Sequence, residues 1–207
     1  MTLDTWLLYV GTVLLFMSTP GPSHLLMISV SMTNGFQRSL ATAAGDLSAN
    51  ALQILLAGLG LAAVVAGSRY GFLVIKWLGV AYLAWMGLRM IIHSFRAGGE
   101  ARPLPVASLR NLWLRGFLTS AANPKAVVFF AALFPQFLNP ESALGPQIAI
   151  LGATYIAIDG SFLAAYGKGA SWLATRMADG LKPVVDRLAG ASLMGAAVLL
   201  GIRGVER

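Results

Sequence analysis

The sequence predicts an all-α integral membrane protein: six transmembrane helices in a three-plus-three inverted-repeat arrangement, with the first and fourth helices broken. Three observations carry that expectation. Of 207 residues, 57% are hydrophobic and 11% charged, against about 45–50% and about 25% in water-soluble domains. Apolar runs of roughly 20 residues, long enough to cross a bilayer, recur along the whole chain. Two of those runs are interrupted by proline beside a residue that can start a helix, which costs roughly 3 kcal/mol in an uninterrupted helix and therefore asks for a purpose.

The spans fall at about residues 6–32, 40–66, 72–92, 113–137, 143–167 and 184–202. The first lies in a stretch from Thr5 to Gln37 without Asp, Glu, Lys or Arg. It has no basic segment ahead of it and is too long for a cleaved signal peptide, so it is expected to stay as a helix. The third contains Lys76, which must snorkel to an interface. The connections leave no room for a soluble domain. The chain thus reads as one transmembrane domain over residues 1–207, with a first repeat at about 1–95, a linker at about 94–112 containing "AGGEARPLP", and a second repeat at about 113–207.

Loop charge sets the orientation. Arg38, Arg89, Arg96, Arg102, Arg110, Arg115, Lys168, Arg176, Lys182 and Arg187 fall on one side, and Arg69, Lys76, Arg203 and Arg207 on the other, ten against four. The positive-inside rule assigns the first set to the cytoplasm and both termini to the opposite side of a cell inner (plasma) membrane. The net charge of +7 sits in short loops rather than along one polar face, so no nucleic-acid partner is expected. With no cysteine and two histidines far apart, neither a disulfide framework nor a metal centre is indicated. There is no nucleophile–base constellation and no glycine-rich phosphate loop, so the sequence supports neither an enzyme nor a cofactor.

The breaks are "STPGPSHLL" at residues 18–26 and "SAANPKAVVFF" at residues 120–130. Asn123 can cap free backbone N–H groups, and Pro124 suits the first helical position, where its missing donor matters least. Pro20, Gly21 and Pro22 read the same way more weakly, with Ser23 in the turn that follows. Each break would restart a helix inside the membrane and present unpaired N–H donors to a shared cavity, a setting for a carboxylate. Interrupted spans in corresponding places of two halves point to a transporter binding site. The bland alternative is a pair of simple kinks, re-satisfied by Ser and Thr.

Charges within the spans extend this reading. Lys125, Asp46 and Asp159 lie where a central charge costs roughly 2.5–3.5 kcal/mol and faces a cavity or a partner. Lys125 in a first helical turn opposes the macrodipole, which makes sense if an anion binds both; the alternatives are a snorkelling lysine or one paired with an aspartate. Asp159 and Asp46 are candidates for a substrate ammonium or a coupling proton. Asn50 and Gln53 follow Asp46 on one helix face, which lines the cavity or joins helices. His24 is a candidate proton relay or a packing residue. Trp77, Tyr82, Trp85, Trp113 and Tyr166 read as interface anchors, with Tyr166 also able to reach inward, and His93 beside Arg89 as interfacial.

The stretches "STPGPSHLLMISVSMTNG", "IKWLGVAYLAWMGLRMI", "WLRGFLTSAANPKAVVFFAALFPQF" and "LAGASLMGAAVLLGIR" resemble, in order and spacing, the lysine exporter family, also called the LysE/RhtB or homoserine/threonine resistance family. The resemblance covers nearly the whole chain. It implies an inner-membrane exporter of amino acids or related metabolites, coupled to proton entry. Pro20, Gly21 and Pro22 match the family's first break and Asn123, Pro124 and Lys125 its second; Asp159 matches an acidic position in the fifth span, and Asp46 a less uniform one. The expected mechanism is alternating access, with substrate, protons and membrane lipid as partners and a homo-oligomer left open. The substrate carboxylate would lie between the restarted helices with Lys125, and its amino group near Asp159 or Asp46. A non-transporting scaffold or assembly subunit, and an exporter of another small solute or cation, are the rival readings.

Overall fold

A computed structural model describes residues 1–58, 69–96, 107–176 and 181–202. Eight α-helices occupy them in order. These are α1 (Leu3–Met17), α2 (Pro22–Asn34), α3 (Phe36–Gly58), α4 (Arg69–Arg96), α5 (Leu109–Ala121), α6 (Pro124–Val128), α7 (Leu144–Arg176) and α8 (Leu181–Ile202). A π-helical turn, Phe129–Leu133, and a 3-10 turn, Phe134–Phe137, continue from α6. Most of the expected linker, Arg102 and the terminal Arg203 and Arg207 lie outside the described residues.

By length and composition, α3 and α7 can each cross a membrane, and α1 with α2 forms a third candidate span bent by 58°. The bend falls where the sequence places it. Residues 18–21 leave the helix, Gly21 sits at the start of α2, and Pro22 takes its first helical position, where a missing N–H is harmless. The second break is equally local. Ala122 closes α5, and Asn123 Oδ1 accepts from the Lys125 backbone N–H at 3.0 Å to start α6.

The two restarts are unequal, unlike the expected matched pair. Helix α2 runs 13 residues, whereas α6 lasts five before its hydrogen bonding changes to the π pattern. A long helix aligns more peptide dipoles than a single turn, so the positive field at the breaks comes mainly from α2 and Lys125.

Glycines decide how closely the helices cross. A Cβ on Gly45 of α3 would lie 2.0 Å from the Trp113 carbonyl oxygen, and one on Gly116 of α5 would lie 2.0 Å from that of Thr42. The α3 and α5 backbones therefore touch along a shared face. Gly87 of α4 and Gly190 of α8 make a second reciprocal crossing, each facing the other's carbonyl at 2.7–2.8 Å. Small residues at crossing points are how helices gain contact where lipid supplies no hydrophobic drive between them. At the corner between α2 and α3, Gly35 has φ +77° and ψ 160°, a conformation open essentially to glycine alone. The Ser31 and Ser39 hydroxyls close that corner at 2.6 Å.

Two apolar clusters lie on opposite sides of the breaks. One joins Tyr9, Phe129, Phe130, Phe134 and Tyr155, all buried, from α1, the turns after α6, and α7. The other joins Leu26, Met86, Leu112 and Leu193 from α2, α4, α5 and α8. Outward faces stay apolar: Leu15 is 76% exposed and Ile202 74%, as expected of helix surfaces meeting lipid.

Candidate functional site

Between those clusters lies a patch of polar side chains. It is built from α2, α3, α5 and α7, with the two breaks at its edge. Asn50 is its hub. Its amide nitrogen has two hydrogens and donates one to Asp46 Oδ2 at 2.9 Å and one to Asp159 Oδ2 at 2.8 Å, while its oxygen accepts from the Ser120 hydroxyl at 2.9 Å. Asp46 and Asn50 are four residues apart on α3, so helical periodicity alone brings them together. Asp159 arrives from α7 and Ser120 from α5. All four are buried.

His24 faces Asp159 from α2. Its Nδ1 accepts from the Gly21 backbone N–H at 3.5 Å, and its Nε2 stands 3.6 Å from Asp159 Oδ1. The accepting nitrogen of a neutral imidazole has no proton, so Nε2 is the one that carries it toward the carboxylate. Tyr166 does reach inward: its ring lies edge-on to His24 at 5.3 Å between centroids. His24 Nε2 and Asp46 Oδ1 have no hydrogen-bond partner. Buried orphan atoms are uncommon and expensive, and these two lie within one polar patch.

The breaks meet in space. Asn123 Nδ2 donates to Ser23 Oγ at 3.3 Å, and a Cβ on Gly21 would lie 3.3 Å from Lys125 Cδ. Lys125 is half-buried. Its ammonium donates to the backbone carbonyls of Phe16 and Thr19 and lies 4.5 Å from the Phe16 ring centre. It thus caps the end of α1, where Phe16 has no helical partner for its carbonyl, and holds the break through Thr19, and a third N–H remains for another acceptor. Pro20 is exposed, and Gly21 and Pro22 are buried at the start of α2, where they shape the break.

Gln53 does not share the site. It donates to the Ser120 and Ala121 carbonyls at 3.3 and 3.4 Å and so ties α3 to the end of α5. Ser120, Tyr155 and Phe16 border the patch although sequence reasoning did not single them out. Only Ser120 carried a signal, as a hydroxyl three residues ahead of the Asn123 cap. The space among these groups is about 20 Å³, room for one water and no more. Among the described residues, no group of three His, Asp or Glu side chains is placed to hold a metal ion.

The chain is similar to known proteins along nearly its whole length. The profile of the LysE type translocator family matches residues 14–204. An uncharacterized membrane protein of Vibrio cholerae is 32% identical over 207 residues, covering 97% of this chain and 98% of its own length. The homoserine/homoserine lactone efflux protein of Salmonella typhimurium is 33% identical over 185 residues, covering 88% of this chain and 86% of its own. The leucine efflux protein of Salmonella choleraesuis is 26% identical over 153 residues, covering 73% and 72%. No solved structure matches. With a family match over more than nine-tenths of its residues, both helix breaks among them, the chain belongs to the LysE type translocators.

Proposed function

We propose that the protein exports amino acids or closely related small metabolites across the cell inner membrane by alternating access, driven by proton entry. The observation that carries this reading is the Asn50 bridge: two aspartates from different helices share one amide at the meeting point of two broken spans. Carboxylates so close repel, and a proton or a substrate ammonium between them relieves that repulsion. Asp46 Oδ1 is the free acceptor for it. Lys125, the Ser23 turn of α2 and the Asn123 amide supply the opposite charge and donors for the substrate carboxylate. Substrate and proton would then compete for one acidic pair, which is the minimum an antiporter requires. The efflux activities in the names of the two Salmonella relatives support the substrate class.

The mechanism follows from the space available. A cavity of about 20 Å³ cannot hold an amino acid, so the patch is closed here and must open to load. The Tyr9–Phe134–Tyr155 cluster seals the side that the charge distribution assigns to the cell exterior. Opening means separating α1 and the turns after α6 from α7 on that side, or α2 from α5 on the other. In this reading six spans form two inverted triplets, α1 to α4 and α5 to α8, each opened by a broken helix, with alternate rocking of the two.

Purified protein in liposomes tests this directly. Labelled L-homoserine and L-leucine should be driven against their gradients when a proton gradient is imposed, and should only equilibrate without one. Absence of gradient-dependent flux for a broad amino-acid panel would favour a scaffold role or another solute.

A further inference from the structure

A second cavity, of about 570 Å³, lies among α2, α4, α5 and α8. It is distinct from the Asn50 patch but continues from it along two helices. On α2 the cavity takes Leu26, Ser29 and Thr33 where the patch takes Ser23 and His24; on α5 it takes Arg115 and Leu118 where the patch takes Ser120. At 1.5 Å per residue, Thr33 stands about 14 Å from His24 along α2. The separation runs toward the side holding the arginine-rich loops, which the positive-inside rule makes cytoplasmic.

The walls are chemically divided. Arg89 and Arg115 are exposed at its border. The Arg89 guanidinium stacks 5.0 Å from the centre of the Trp85 ring, which fixes its plane while leaving edge N–H groups for a planar anion. Asp186 of α8 lines the same cavity, is buried, and accepts from the Ser29 hydroxyl at 2.5 Å. Leu26 and Met86, both nearly inaccessible, form the floor between this cavity and the Asn50 patch. The volume falls within the about 300–1,000 Å³ typical of small-molecule sites.

We propose that this cavity is an antechamber that binds a zwitterionic α-amino acid on the cytoplasmic side before it reaches the Asn50 patch. Its carboxylate meets Arg89 and Arg115, and its ammonium meets Asp186 supported by Ser29. The chamber accepts molecules carrying both charges, and the Leu26–Met86 floor holds them until the patch opens. This inference rests on the exporter reading and adds a second site and its recognition chemistry.

The test is homoserine exchange in liposomes, with half-saturation measured separately from each face. Arg115→Gln and Arg89→Gln should each raise the half-saturating concentration about two- to fivefold on the cytoplasmic face alone, the scale of a solvent-exposed charge pair. Arg115→Lys should retain most of the wild-type value. Membrane abundance and thermal stability of each variant separate binding from folding. Equal shifts on both faces, or none, would overturn the antechamber and leave the exporter standing. An effect that disappears in vesicles of zwitterionic lipid alone would assign the arginines to anionic lipid headgroups and likewise overturn it. A wild-type protein that exchanges no amino acid would remove the exporter reading, and this one with it.

Discussion

Lys125 is where two demands on one side chain meet. Its ammonium donates to the Phe16 carbonyl at the end of α1 and to the Thr19 carbonyl in the break, and in the exporter reading its remaining N–H also donates to the substrate carboxylate. Lys125→Met keeps the apolar stem and removes both. A charge-assisted hydrogen bond is worth about 1.5–3 kcal/mol, so apparent affinity in liposomes should drop roughly tenfold to a hundredfold. Thermal stability in detergent should fall too, because the carbonyls of Phe16 and Thr19 lose their donor; unchanged affinity and stability together would reduce Lys125 to a surface residue. Asp159→Asn separates charge from shape. It should leave membrane abundance near wild type and allow exchange, yet abolish accumulation driven by a proton gradient, which counterflow against gradient-driven uptake distinguishes. Sequence alone could pick out Asp46, Asn50, Lys125 and Asp159 because charged and amide groups inside apolar runs are few. It could link Asp46 to Asn50 through helical spacing. It could not find the Lys125 acceptors, since an unpaired backbone carbonyl has no side-chain signature, nor the Asn50–Asp159 bond, which joins residues 109 positions apart.

Among elements, the broken helices were readable for a local reason. Proline, glycine and asparagine act on the backbone within a turn of where they stand, so residues 18–21 and 122–123 leave the helix where the sequence says they should. The inequality of the two restarts was not readable, because the π turn after α6 depends on how Phe129, Phe130 and Phe134 pack against Tyr9 and Tyr155. The crossing of α3 and α5 was missed in the same way: Gly45 and Gly116 look like ordinary helical glycines until their helices touch. Gly116→Ala should push α5 away from the Thr42 carbonyl and destabilise the protein by about 1–3 kcal/mol, the scale of overpacking. Gly11→Ala, with nothing within 4 Å of the new methyl, should be neutral or stabilising by up to about 1 kcal/mol through helix propensity. Thermal unfolding of both in detergent compares them; equal midpoints would remove the close crossing.

At the scale of the molecule, sidedness is open to a direct check because the chain has no cysteine. Single cysteines introduced at Asn111, near the start of α5, and at Glu141, between the 3-10 turn and α7, can each be labelled without background. A membrane-impermeant thiol reagent applied to whole cells should modify Glu141→Cys and spare Asn111→Cys until the membrane is opened. Labelling of both from outside would rule out the proposed two-triplet arrangement, and labelling of Asn111→Cys alone would invert it. The closed Asn50 patch also bears on what the unloaded protein does to its cell. Room for a single water, between an aromatic seal and an apolar floor, cannot hold the continuous file of waters that protons need in order to hop across. In the exporter reading an idle copy should therefore not short-circuit the membrane's proton store, however many copies accumulate, and a proton would cross only with a change of shape. Protein abundance can rise with the metabolite load while the resting drain on the cell's energy stays flat.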